Sequence, residues 1–297
     1  VMRNILLKGL FWSGMVLASP AVLAVEGGGG NTPNGADGFT AGALPPPGTY
    51  GLAFLNHYSG DRFNDGNGNS SVPGFSVKAN VAAVKIVHMT NTNVYGGLLG
   101  FYGALPLVDQ TVQAAGRTDS RTGLGDLEVG SLVAWHQGDW HWYGLMALVA
   151  PTGLYNKDRL ANIGSNYTTI RPQFGWTYAP ANGIDISSRF TYSFNTRNNA
   201  TNYKSGQYFE ADYNFGYAFT SSFKAGLQGY YFQQITNDEQ NGVKVGSDGN
   251  KGRVLAIGPG LFYQASFASF EFKCLTETRV ENRVQGKSLW LKSVFKF

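Results

Sequence analysis

Histidine is the side chain best suited to hold a metal or move a proton near neutral pH, and this chain has four, His57, His88, His136 and His141. His136 and His141 flank a short turn and can approach across it, but two ligands do not complete a metal site. The sequence has no G-x-S-x-G nucleophile elbow and no H-E-x-x-H helix. Cys274 is the single cysteine, which excludes an internal disulfide and any paired-cysteine redox or zinc motif. What remains is a set of carboxylates, lysines and arginines at alternate positions. Their chemistry is ion pairing in a polar interior, so we expect no enzyme, no metal and no cofactor.

Alternation demands strands. From 207 to 219, Phe209, Ala211, Tyr213, Phe215, Tyr217 and Phe219 share one parity, while Glu210, Asp212 and Asn214 share the other. The same split sets Leu127 and Val129 against Asp126 and Glu128, Ile170 and Phe174 against Arg171 and Gln173, and Ile186 and Phe190 against Asp185 and Arg189. A period of two is that of a strand with two unlike faces. Composition agrees. Forty glycines, sixteen tyrosines and only four methionines disfavour long helices and favour pleated strands. The net charge of +4 is not gathered into basic runs, so a nucleic-acid partner is not expected.

The first residues read differently. Arg3 and Lys8 precede an apolar run at 9–18, and small side chains at Val22 and Ala24 suit a signal-peptidase site, so residues 1–24 read as a secretory signal peptide. Residues 25–47 are rich in Gly, Pro and Asn and cannot fold alone; they read as a periplasmic tail or as a plug within the remainder, 48–297. No later stretch has the 18 consecutive apolar residues of a membrane helix.

From Gly48 onward we read twelve strands, at 49–58, 75–89, 94–105, 124–136, 140–151, 167–178, 184–195, 207–219, 223–235, 253–264, 269–280 and 287–297. Short turns (90–93, 137–139, 179–183, 220–222, 265–268) alternate with longer polar loops (59–74, 106–123, 152–166, 196–206, 236–252) and a shorter one at 281–286. Export, alternation and this asymmetry together predict an all-β, transmembrane, antiparallel up-and-down β-barrel of about twelve strands in the outer membrane of a Gram-negative bacterium. Its short turns would be periplasmic and its longer loops extracellular. Trp135, Trp140, Trp142, Trp176, Tyr178 and Phe219 cluster at the short turns and read, with the terminal Phe297, as aromatics at the membrane interface. A terminal Phe on an alternating strand resembles the signal read by the barrel-assembly machinery.

Twelve strands enclose more space than a few side chains fill. The inward parity carries Asp126, Glu128, Arg171, Arg189, Glu210, Asp212, Lys224, Glu271, Lys273, Glu277, Arg279 and Lys292. These read either as cross-strand ion pairs satisfying a wet lumen or as the lining of a solute path. Leu98, Tyr102, Ala256 and Phe262 would make part of that lining apolar, which suits a hydrophobic or aromatic solute better than an ion. The loop residues Lys157, Asp158, Arg159, Asn162, Asn166 and Tyr167 predict an ordered loop cross-linked to neighbouring strands, capping or gating the mouth.

The segment Gly123-Leu-Gly-Asp-Leu-Glu-Val-Gly130, the Trp-rich hairpin from Trp135 to Trp142, and the run P-T-G-L-Y-N-K-D-R-L-A-N-I-G-S-N-Y ending at Tyr167 resemble the meta-pathway phenol-degradation family of outer-membrane proteins. The resemblance covers most of the chain after Gly48 and is specific within 123–178. It implies a barrel, membrane lipid around it, and uptake of small hydrophobic or aromatic compounds by passive or facilitated diffusion. It supplies no catalytic residues. Two other readings stay open: a structural or adhesive surface barrel with a closed lumen, and an outer-membrane lipid-modifying enzyme. The last would need Ser and His at the outer rim, whereas His136 and His141 fall at the short-turn rim.

Overall fold

The computed structural model describes residues 30, 31 and 33–297. The signal peptide expected at 1–24 and residues 25–29 lie outside the described residues. The strands in chain order are β1 (Gly48–Phe63), β2 (Ser76–Val94), β3 (Gly97–Ala114), β4 (Arg117–Leu124), β5 (Leu127–Gln137), β6 (Trp140–Ala150), β7 (Thr169–Tyr178), β8 (Ile184–Asn195), β9 (Arg197–Asn198), β10 (Tyr203–Lys204), β11 (Tyr208–Ala218), β12 (Phe223–Gln234), β13 (Glu239–Gln240), β14 (Val243–Lys244), β15 (Arg253–Gln264), β16 (Ala268–Glu281) and β17 (Val284–Lys296).

All pairings are antiparallel, and the large sheet closes on itself. β1 pairs with β2 on one side and β17 on the other, β2 pairs with β3, and β3 pairs with both β4 and β5. Because β4 and β5 occupy successive levels beside β3, the ring has twelve staves. Closure leaves no free edge around the twelve-stave ring, which is the condition for β structure in hydrocarbon; β4, which pairs only with β3, extends beyond the membrane band. The short strands β9, β10, β13 and β14 form a separate small sheet, so the predicted loops at 196–206 and 236–252 are partly ordered into it.

The predicted loop at 106–123 is a correction. It is mostly a hairpin, in which β3 runs on to Ala114, turns at Ala115 and Gly116, and returns as β4. Both turn residues have positive φ, 50° and 75°, which matches the tight turn that suits strand twist. The alternating Thr118, Ser120 and Thr122 were the available signal. Likewise the β2–β3 turn falls at Tyr95 and Gly96 rather than at 90–93. Where β3 changes partner, Pro106 has no N–H to give, and its carbonyl accepts the Gly125 N–H at 2.8 Å.

The outer surface defines the membrane band. Val84, Ile86, Phe101, Leu105, Met146, Ile170, Phe174, Phe215, Leu227, Leu261 and Phe272 are all exposed. On β2 the band runs from Asn80, bonded to His57, down to His88, bonded to Thr49. Eight residues at about 3.3 Å each span about 26 Å, the height of a lipid-facing belt. At the short-turn end Trp135 stacks on Trp142, and Trp140 lies against both Trp176 and Tyr178. Phe219 and Phe297 are exposed at that end.

Candidate functional site

The interior has two unlike halves. On β1, β2 and β3 much of the inward parity is apolar, with Leu52, Val77, Ala79, Val81, Ala83 and Val108 among its members beside Asn56, Tyr58, Tyr102 and Lys85. Across β5 to β17 it carries most of the ionised groups, and they form a connected network. Arg171 lies 3.0 Å from Glu128 and 3.6 Å from Glu210; Arg189 lies 2.7 Å from Asp212 and 3.6 Å from Glu210. Lys224 pairs with Asp185 at 2.7 Å, while Lys273 and Lys292 approach Glu271 at 3.9 and 3.8 Å. Tyr102 donates to Glu128 at 2.5 Å. Glu277 accepts Tyr58 at 2.9 Å, the Gly286 N–H at 2.6 Å, and Tyr230. Such pairing offsets much of the cost of burying these charges.

The Gly/Pro-rich segment lies against this ionic wall. Its backbone N–H groups donate to wall side chains: Gly35 and Asp37 to Asp212 at 3.2 and 3.1 Å, Phe39 to Glu271 at 3.2 Å, Thr40 to Asp185 at 3.3 Å and Gly42 to Thr177 at 2.8 Å. Asp37 adds ion pairs to Arg189 at 2.7 Å and Lys292 at 3.4 Å, and its carbonyl accepts Lys273 at 2.9 Å. Asn31 reaches Thr169 at 2.6 Å, at the loop end of β7, so the segment runs along the lumen before joining β1 at the short-turn end. Such close approach explains the composition. A Cβ on Gly42 would stand 2.3 Å from the Trp176 backbone, which cannot move aside.

What the segment leaves free is a cavity of about 540 Å³ toward the outer end. Its lining includes Val77, Val81 and Val108 from β2 and β3, Tyr58 and Trp290 from the neighbouring β1 and β17, Arg283 from the β16–β17 turn, and residues of the 155–167 loop.

That loop is fastened through Arg159, Asn162, Asn166 and Tyr167. Arg159 grips the Asp119 carboxylate and the Ser120 carbonyl, and the Leu160 and Ala161 N–H groups donate to the same Asp119 at 3.1 and 3.0 Å. Asn162 ties the loop to itself and to Arg121. Asn166, at φ 57°, donates to Asn198 at 2.6 Å, and Tyr167 is buried. The Arg159 guanidinium and the two backbone N–H donors hold the Asp119 carboxyl well below the usual carboxylate range. Lys157 and Asp158 pair with each other at 2.8 Å, both largely exposed, and Lys157 also lines the cavity beside Arg159.

Asp126 is buried, as an inward residue should be, but it sits at the β4–β5 joint and accepts the Gly153 and Ser165 N–H groups, both at 2.9 Å. It organises the loop instead of joining the ion network. Arg279 is a correction. The β15–β16 ladder steps by one residue between Arg253 and Leu255, and opposite this step Arg279 takes a φ of 50° and points outward, with Val280 buried in its place. A bulge reverses parity, which strict alternation cannot foresee. Lys85, Asp185 and Asp37 belong to the ionic set although sequence reading did not name them as lining. Their inward parity was readable for the first two, while Asp37 lies in a segment with no periodicity. His136 and His141 meet, Nδ1 to Nδ1, at 2.7 Å on the outer face, and among the described residues no cluster of three metal-binding side chains occurs.

Among solved structures, the chain is similar to an outer-membrane channel from Pseudomonas putida F1, with 16% identity, a TM-score of 0.77, and coverage of 87% of this chain and 98% of that one. It is also similar to the translocator domain of the autotransporter NalP from Neisseria meningitidis, with 10% identity, a TM-score of 0.52, and coverage of 86% and 91%. These likenesses show the outer-membrane barrel fold. No curated protein matches the chain by sequence. A family model described as "Putative MetA-pathway of phenol degradation" matches residues 60–293, most of the barrel, and the chain therefore belongs to that phenol-degradation family.

Proposed function

We propose that this chain is an outer-membrane channel through which small hydrophobic or aromatic molecules of the phenol type pass by passive or facilitated diffusion, without covalent chemistry. The observation that carries this reading is the two-sided lumen. The N-terminal segment occupies the middle of the ionic wall, and the free volume beyond it borders the apolar stretch Val77, Ala79, Val81 and Val108 of β2 and β3. Against that stretch an apolar solute exchanges water for hydrocarbon. The family description and the channel from Pseudomonas putida F1 support the same reading. Around the barrel we place outer-membrane lipid, and we assign Phe297 to recognition by the barrel-assembly machinery after export by the 1–24 signal. Reconstituted protein should admit phenol to liposomes faster than protein-free controls. Equal rates for every aromatic tried would remove the reading.

A second reading is a structural or adhesive barrel with a closed lumen, favoured by the fastening of residues 33–47. Zero conductance in planar bilayers, unchanged on deleting 25–47, would select it.

A further inference from the structure

The connection from β16 to β17 is only two residues long, and it turns one charged side chain inward. Asn282, at φ 51°, donates to Asp248 at 2.6 Å and to the Lys251 carbonyl at 3.1 Å, while the Arg283 carbonyl accepts the Asn64 N–H at 2.9 Å. The Arg283 side chain then passes close to Gly252, where an added Cβ would stand 2.8 Å from its Cδ, and the guanidinium carbon comes to 4.0 Å from the Phe232 ring centre. Arg283 is only 6% exposed.

Arg171 and Arg189, buried in the same lumen, are each paired with carboxylates. Arg283 is not. Among the described residues its guanidinium makes no hydrogen bond or ion pair, and its Nη1 is buried without an acceptor. The neighbouring carboxylate, Glu277, is already engaged by Tyr58, Tyr230 and the Gly286 N–H. An unpaired buried guanidinium is costly, and this one lines the 540 Å³ cavity together with Trp290, whose indole N–H is also buried and unpartnered. The apolar part of that lining is Val77, Val81 and Val108.

Resting on the channel reading, we propose that this cavity is a binding site for an amphipathic carboxylate, an aryl or alkyl acid. Its charged end sits on Arg283 and its apolar body lies against the valines. The planar fork of a guanidinium matches a carboxylate in two parallel hydrogen bonds. A neutral arene leaves the charge unpaired, and a cation is repelled by it. The volume is that of an ordinary small-molecule site.

The test uses the full-length protein in lipid nanodiscs, titrated calorimetrically with benzoate and with its uncharged isostere benzamide. Benzoate should bind at least about tenfold more tightly, the scale of one charge-assisted pair. Arg283→Gln should abolish the difference, Arg283→Lys should keep part of it, and Val81→Trp, which fills the apolar side, should weaken both probes. Equal affinity of the unmodified protein for the two probes overturns the proposal without recourse to any variant, as does a benzoate preference that survives Arg283→Gln. If phenol flux fails while the benzoate preference stands, the channel reading falls and the site remains. If phenol passes but no preference exists, only the site falls.

Discussion

Arg189 and Asp37 form an ion pair of 2.7 Å that joins the N-terminal segment to the barrel wall. The same guanidinium also holds Asp212 at 2.7 Å, and Asp212 accepts the Gly35 and Asp37 N–H groups. One cation and one wall carboxylate thus fix the middle of the segment. Asp37→Ala removes the pairs to Arg189 and Lys292 yet leaves Arg189 paired with Asp212. We expect a loss of about 2 kcal/mol from the docked state, roughly 30-fold in its population. Single-channel recording should show longer or larger openings, and deletion of 25–47 should show more. Traces identical to the parent protein would mean that the segment does not limit the pore.

The aliphatic wall should decide which solutes pass. Val81→Asp places a carboxylate in the free cavity, and phenol flux in liposomes should fall several-fold while a small polar solute such as glycerol is slowed less. An equal effect on both would indicate simple blockage.

Arg171 bridges Glu128 and Glu210 from opposite sides at 3.0 and 3.6 Å, fully inside the wall. Arg171→Ala leaves two carboxylates without their shared cation. The cost of breaking a buried pair is about 3–5 kcal/mol, and denaturant unfolding of the protein in detergent should show it. A change below about 1 kcal/mol would mean that water or the segment replaces the arginine.

The outer loop carries a pH signature. The Asp119 carboxyl is held well below its ordinary value of 3.8 by the Arg159 hydrogen bond and by backbone N–H donors. A depressed carboxyl contributes stability that is complete above the ordinary value and lost as pH falls through the depressed one. Hydrogen exchange at 156–163 should therefore stay slow at pH 5 and rise only in strong acid. Asp119→Asn should make it fast already at pH 7. Loosening of the parent loop between pH 6 and 5 would contradict the assignment.

Much of this protein was legible in the one-dimensional pattern. Period-two alternation at 207–219 and 169–178 fixed which faces of β11 and β7 meet lipid, because side chains on a strand can only alternate. The Trp135 to Trp142 hairpin and the terminal Phe297 marked one rim, and the regular alternation of short and long connections implied the up-and-down ring. Departures from alternation were not legible. The bulge that turns Arg279 outward and the hairpin that carries β3 to Ala114 both depend on pairing partners.

The chain alone therefore determined the class of solution, a closed ring with an apolar exterior and ionised residues within, since hydrocarbon accepts no unpaired backbone. Tertiary structure decided what the interior contains. Residues 33–47 have no periodicity, and Asp37 gains its place only when Arg189 and Lys292 converge from different strands. The same holds for Arg283, which sequence places in a turn and the closed barrel places inside. Such groupings arise from the register around the ring, a long-range property that no local pattern encodes.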